Sequence, residues 1–212
     1  MKISQPQLPK ILHQIDDLLS MIETKFDEDI EECLFTRQML CELSNEHLSF
    51  QTCRFDGCTF RECNFHKSSF CDVEFVNCDF SNTKLQECNF CRVTFTDCKL
   101  VGTNFSGAAF THVTFQRCSA PYVLLSDCKF NHLSFNETDL KSSVIDHCRL
   151  DLVVFETCNL IEAELYQTKL KGVDLTTCNI SGIRLSLTDL YGAMVTDIQA
   201  LELTRLLGVV IK

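Results

Sequence analysis

From Phe50 to Phe80 the chain reads F-QTCRF-DGCTF-RECNF-HKSSF-CDVEF-VNCDF, with phenylalanine at every fifth position. The run continues through Leu85, Phe90, Phe95, Leu100, Phe105, Phe110 and Phe115, and Ala120 is the one small residue in it. It resumes at Leu125 and holds phase to Leu190 and Val195. Two residues before each large side chain stands a small or medium one, as at Cys53, Cys58, Cys63, Ser68, Val73, Cys78, Thr83 and Cys88. A helix would repeat every 3.6 residues and a strand every two, so a period of five belongs to neither. A strict repeat makes each unit one structural step whose apolar face is covered by its neighbours in a stack.

The pattern of a small residue, any residue, Phe or Leu, and two more resembles that of the pentapeptide-repeat family over residues 46–195. That resemblance implies an all-β solenoid, a right-handed quadrilateral parallel β-helix with about 20 residues per coil, and coils ~4.8 Å apart as in-register parallel strands are. The coil length has its own support. At a step of twenty, Phe55, Phe75, Phe95, Phe115, Phe135 and Phe155 form one unbroken ladder. Cys58, Cys78, Cys98, Cys118, Cys158 and Cys178 form another, interrupted by Thr138.

Fifteen cysteines in 212 residues would suit a disulfide scaffold in a secreted chain. The opening MKISQPQLPK has no apolar core of a signal peptide, and no long apolar run predicts a membrane span. Twelve of the thiols, from Cys33 on, occupy the small inward position, and only Cys41, Cys71 and Cys91 fall elsewhere. Buried cysteine behaves as a small hydrophobe, so the thiols are expected in the core of a cytoplasmic protein, with no metal and no cofactor.

The ends differ from the rod. Residues 1–45 read as an N-terminal cap: Leu8, Ile11, Leu12, Ile15, Leu18, Leu19 and Ile22 recur at helical spacing and predict a helix from about 8 to 23. The acidic run from Phe26 to Glu32 reads as a solvated loop, and Leu34, Phe35, Leu40 and Leu43 as an irregular first coil. Pro121 removes a backbone donor and, beside Ala120, predicts a bulge or kink. Residues 196–212 read as a capping box, Thr196 with Gln199, then a short helix ending at Gly208 and a final strand Val209-Val210-Ile211. A solenoid end exposes core and must be capped or paired. The apolar residues Leu201, Leu203, Leu206, Leu207, Val209, Val210 and Ile211 predict a C2 homodimer through this end.

The same tail, from Gln199-Ala200 to Ile211, resembles the C-terminus of the Qnr-type quinolone-resistance proteins within that family. In that group the element mediates head-to-head dimerisation. The chain lacks the two register-breaking loops of the Gram-negative forms and resembles the loop-free Gram-positive form. The resemblance implies binding to type II topoisomerases, DNA gyrase and topoisomerase IV, and their protection from fluoroquinolones.

Charge bears on the same question. The formal net charge is −10, from 19 basic and 29 acidic residues, which excludes ordinary DNA or RNA binding and permits a partner with a basic site. Divided by face, Asp56, Glu74, Asp97, Glu137, Glu156 and Asp174 stand on the face of the Phe55 ladder against Arg54 and Arg117, a net of −4. The face of Phe70, Phe90 and Phe110 carries Arg92, Lys129, Arg149, Lys169 and Lys171 against three acids, a net of +2. Those six acids are the candidate partner-binding residues, a stripe mimicking duplex DNA. Catalysis has no support: His66, His112, His132 and His147 make no cluster with acids or serines at a shared coil position, and no HExxH, GxSxG or phosphate loop is present. The other readings are an interaction scaffold without a topoisomerase role, and an immunity protein against a gyrase-targeting peptide.

Overall fold

The computed structural model describes residues 2–24 and 29–209. Its elements in chain order are β1 (His13–Ile15), α1 (Leu18–Thr24), β2 (Ile30–Glu31), β3 (Cys33–Thr36), β4 (Ser49–Gln51), β5 (Arg54–Asp56), β6 (Ser69–Val76), β7 (Asn89–Thr96), β8 (Ala109–Gln116), β9 (Lys129–Asn136), β10 (Arg149–Glu156) and α2 (Asp197–Leu203), followed by a 3₁₀ turn, Thr204–Leu207. Every strand pair is parallel, and from β6 to β10 each residue faces the one twenty positions on, as Phe75 faces Phe95. On the remaining sides single bridges keep the same step, as in Thr59 to Asp79 to Lys99. The protein is a parallel β-solenoid of about seven turns with a C-terminal helix.

The period of five is written into the backbone. From Glu32 to Gly172 every fifth residue has positive φ, so each coil turns four corners. Most of these corners are not glycine, and each costs a side-chain-bearing residue roughly 1 kcal/mol or more. The inter-coil ladder offsets that cost: the Asn82 amide donates to the Val101 carbonyl (2.9 Å) and the Glu87 amide to Ser106 (3.0 Å).

Inside, the Phe55 ladder runs from Phe35 to Phe155 as one stack, with centroids 4.7 to 5.3 Å apart. Adjoining sides meet it edge to face, as Phe75 and Phe80 do at 86°. Offset and edge-to-face geometry is what the ring quadrupole favours. The small inward position has a polar reason as well as a steric one. Cys58, Cys78, Cys98, Cys118 and Cys158 each aim the thiol at the carbonyl 23 residues earlier, at 3.3 to 3.5 Å. Thr138, which interrupts that ladder, makes the same bond through Oγ1 to Phe115 (3.3 Å). The twelve inward cysteines are buried, Cys41 is exposed, and Cys71 and Cys91 are half-buried.

Four expectations are corrected. The N-terminal helix occupies only 18–24, because Asp17 accepts from the Ser20 amide (3.0 Å) and starts it there. Leu18 and Ile22 are buried, and Ile22 closes the open end of the phenylalanine core. Upstream, Ile15 lies in β1, opposite Phe35, so the helical spacing of Leu8, Ile11 and Leu12 has no helix behind it. In the acidic run, residues 25–28 lie outside the description, but Ile30 and Glu31 form β2 against β4, and Ile30 is buried. The first coil is not irregular either: β3 pairs with β5, and Met39 and Ser44 bridge Thr59 and Asn64.

Pro121 makes no bulge. Ser119 and Leu124 bridge both neighbouring coils in register, and the Pro121 carbonyl accepts from Gly102 (3.0 Å). At the matching position of other coils the amide turns to an Asx side chain, Ser81 to Asp79 and Ile161 to Asn159. The ladder never uses that donor, so proline removes nothing from it.

Candidate functional site

The six carboxylates of the Phe55 face stand on three neighbouring columns, and the backbone places them on one side of the rod. They are not equivalent. Arg54 bridges Glu74 (3.0 Å) and Asp56 (3.6 Å). Arg117, one coil above Asp97, makes two parallel bonds to it at 2.8 Å. That fork holds the Asp97 carboxyl below the usual carboxylate range. Both cations of the face thus make their ion pairs in its N-terminal half, though Arg117 also feels the charge of Glu137 one coil above. Glu137, Glu156 and Asp174 are exposed and make no ion pair among the described residues. Asp174 is held below its ordinary value by the hydroxyl and amide of Thr176. The uncompensated negative charge therefore lies toward the C-terminal end.

That end carries an apolar groove lined by Leu187, Leu190, Ala193, Val195, Leu203 and Leu207. The capping box is formed: Gln199 donates its amide to Thr196 Oγ1 (3.2 Å), and its side chain accepts from the Thr196 amide (2.8 Å). Gln199 Nε2 also donates to the carbonyls of Leu175 and Cys178, both at 2.8 Å, and so fastens α2 to the coil beneath. Of the predicted contact residues, Leu201, Leu207 and Val209 are exposed, while Leu203 is buried and Leu206 half-buried against the core. Val209 is not in a strand, and Val210 and Ile211 lie outside the described residues.

The adjoining, cationic face holds features the sequence reading did not foresee. Arg92 grips Asp72 through Nε and Nη2, both at 2.6 Å, and its Nη1 and Nη2 lie 3.4 and 3.3 Å from the thiols of Cys91 and Cys71. Burial works against the Asp72 charge, but Arg92 and the Gln7 amide outweigh it and hold the carboxyl low. Burial pushes the Cys71 thiol up to about 11. Cys88 and Cys91 have the CxxC spacing that would suggest a metal, but Cys88 points into the core and Cys91 outward. Residues three apart on a strand take opposite faces.

Upstream of β1, Ser4 and Gln7 fasten an N-terminal arm to this face. The Gln7 amide donates to Asp72 Oδ1 (2.9 Å), and the Ser4 amide to His112 Nδ1 (3.4 Å). Three extended residues span ~10 Å, the rise of two coils, which is the step from Asp72 to His112. His112 also lies against His132, with centroids 4.5 Å apart. No signal in the sequence marks the arm, since the side chains it meets lie 65 and 108 positions along the chain.

A family model described as a pentapeptide repeat region matches residues 48–125 and 120–195. The chain belongs to the pentapeptide-repeat family. Among solved structures it is similar to a trypsin-treated variant of QnrB1, a plasmid-mediated fluoroquinolone resistance protein, at TM-score 0.58 and 16% identity, covering 84% of this chain and 99% of that one. A second trypsin-treated QnrB1 variant gives TM-score 0.50 over the same shares, at 16% identity. HetL of the cyanobacterium Nostoc, a pentapeptide-repeat protein involved in heterocyst differentiation regulation, aligns at TM-score 0.38 and 14% identity, over 87% of this chain and 98% of that one. At these identities the likeness is one of fold. No curated protein matches the sequence. No helix among the described residues is long and apolar enough to cross a membrane, and no group of three or more His, Cys, Asp or Glu among them is placed to hold a metal.

Proposed function

We propose that this rod is a cytoplasmic interaction protein, not an enzyme, which engages DNA gyrase and topoisomerase IV through its acidic face and protects them from fluoroquinolones. The observation that carries the reading is the segregation of charge. Glu137, Glu156 and Asp174 make no ion pair among the described residues and stand on one side of the C-terminal half, the half that ends in the apolar groove. Two copies joined through that groove in a C2 homodimer would bring two such acidic segments together, a surface complementary to a basic DNA-handling site. The resemblance of the tail to Qnr-type proteins and the likeness of fold to QnrB1 support the same assignment. The rod holds no direct nucleic acid, since its charge repels phosphate.

A supercoiling assay with purified gyrase and ciprofloxacin tests this. Supercoiling restored at low concentration of the protein is the expected result. Loss of supercoiling without rescue makes the rod an inhibitor, and no effect at any concentration leaves the scaffold reading.

A further inference from the structure

The inter-coil ladder is open along β10, between it and the coil that follows. Along most of the rod the amide of each corner residue donates to the carbonyl 19 positions on, as Thr52 does to Cys71 (2.9 Å) and Glu137 to Glu156 (2.9 Å), and the reverse bonds run as Glu74 to Cys53 (3.0 Å) and Arg149 to Cys128 (3.1 Å). Nearer the C-terminal end Gln167 donates instead to Asp189 Oδ2 (3.0 Å) and Gly172 to the Gly192 carbonyl (2.8 Å). Among the described residues no such backbone bond joins the amides of Leu150, Leu152 or Phe155 to the following coil, nor those of Lys169 and Asp174 back to Cys148 and Val153. The Thr157 amide goes instead to Thr177 Oγ1 (3.0 Å). On either flank the ladder is intact, His147 to Tyr166 at 3.0 Å and Leu160 to Asn179 at 2.7 Å. β10 accordingly pairs with β9 alone and ends the sheet.

The side chains change at the same coil. The outward corner column reads Thr52, Asp72, Arg92, His112, His132 and then Leu152; the outward strand column reads Arg54, Glu74, Thr94, Thr114, Ser134 and then Val154. Leu152 and Val154 are 54% and 36% exposed. Between the two coils lies a cleft of about 350 Å³ lined by Leu150, Leu152, Val153, Val154, Val173 and Lys171. Lys171 makes no ion pair among the described residues.

We propose that this open edge of β10 is a docking site for a short extended peptide segment of a partner protein, apolar on alternate side chains and bearing one carboxylate. The segment adds its backbone to the free amides and carbonyls of β10, places apolar side chains against Leu152 and Val154, and sets its acid against Lys171. A small apolar ligand would fill the cleft and leave the strand's backbone groups unpaired. A nucleic acid needs several cations, and the cleft offers one. Addition of a strand to a free sheet edge satisfies both halves of the site, backbone and side chain. The site borders the acidic face, since Val154 stands in the column of Glu74 and Asp174, but the peptide titration reads it directly and so tests it whether or not topoisomerase is the partner there.

The test uses the full-length ¹⁵N-labelled chain. Amides of Leu150 and Leu152 are expected to exchange at least about tenfold faster than those of Phe130 and His132 on the paired strand. Titration with the probe Ac-Thr-Val-Glu-Val-Thr-NH₂ is expected to shift residues 149–157 and 169–175 with a dissociation constant of roughly a millimolar or below. A probe with Lys for Glu should bind about tenfold more weakly, and one methylated on its central backbone nitrogens should not bind. The double substitution Leu152→His with Val154→Ser restores the residue types of the preceding coil and should weaken binding while leaving Tm unchanged. Equal protection of Leu150 and Phe130 overturns the proposal, as does a silent titration to about 5 mM. So does binding that survives backbone methylation, or shifts centred elsewhere on the rod.

Discussion

Ser4 donates its backbone amide to Nδ1 of His112, a residue 108 positions away, at 3.4 Å. The bond requires a neutral ring nitrogen. Partial burial lowers the His112 pKa from its ordinary value, helped by His132 and Arg92. A base whose pKa is depressed on folding contributes stability that is complete above the unfolded value of about 6.5 and is lost as pH falls through the folded one. Lowering the pH from 7 to 5 should therefore release the arm before the rod. The measurement is amide exchange at Ser4 and Gln7: protection at Ser4 should fall first, and His112→Asn should abolish that step.

Phe95 is fully buried and stacked between Phe75 (4.9 Å) and Phe115 (4.7 Å). Truncation to alanine leaves a ring-sized void in the middle of the stack. Phe95→Ala should cost about 3–5 kcal/mol in urea unfolding, whereas Phe95→Leu, the residue type of Leu100 one pentad on, should cost much less.

Proline separates two adjacent positions. The Ala120 amide donates to the Asp139 carbonyl (2.8 Å), and the following position uses no ladder donor. Pro121→Ala should leave the midpoint of unfolding nearly unchanged, while Ala120→Pro should destabilise by about 3 kcal/mol or more.

Charge reversal on the acidic face should be graded. Glu137→Lys, Glu156→Lys and Asp174→Lys remove free carboxylates and should each weaken gyrase protection, together by more than about tenfold. Asp97→Asn removes a charge that Arg117 already neutralises and should act less. A ciprofloxacin-challenged supercoiling titration, with circular dichroism to confirm folding, reads the order.

Thiol reactivity should follow burial. Burial pushes Cys53 and Cys88 up to about 12, so alkylation of the native rod at pH 8 should label Cys41 first and leave the ladder thiols untouched. Mass spectrometry of the labelled chain counts the modified sites, and urea should expose all fifteen.

How much of this was legible in the sequence depends on the range of each interaction. The coil length, the inward Phe and Cys positions and the capping box of Thr196 and Gln199 all follow from local spacing, and the structure has each of them. Three features failed to announce themselves because their cause is non-local. The helical spacing of Leu8 to Ile15 was outweighed by pairing of β1 with β3 and by the seats for the arm at Asp72 and His112. Pro121 looked disruptive until the fate of each amide was known. The six acids were alike as letters, and only Arg54 and Arg117 in adjacent coils divide them into spent and free.

The arm changes how the rod comes apart. A stack of repeats behaves as a one-dimensional array in which each unit holds only its neighbours and melting can start at either end. A strap running from β1 past Asp72 to His112 joins coils that do not touch, so the N-terminal half must lose its strap before it can unzip. Among the described residues the C-terminal half has no such tie beyond α2, and it contains the open stretch of the ladder along β10. Pulled from both ends, the molecule should yield from its C-terminal side first, with the strapped coils surviving as a discrete, shorter block.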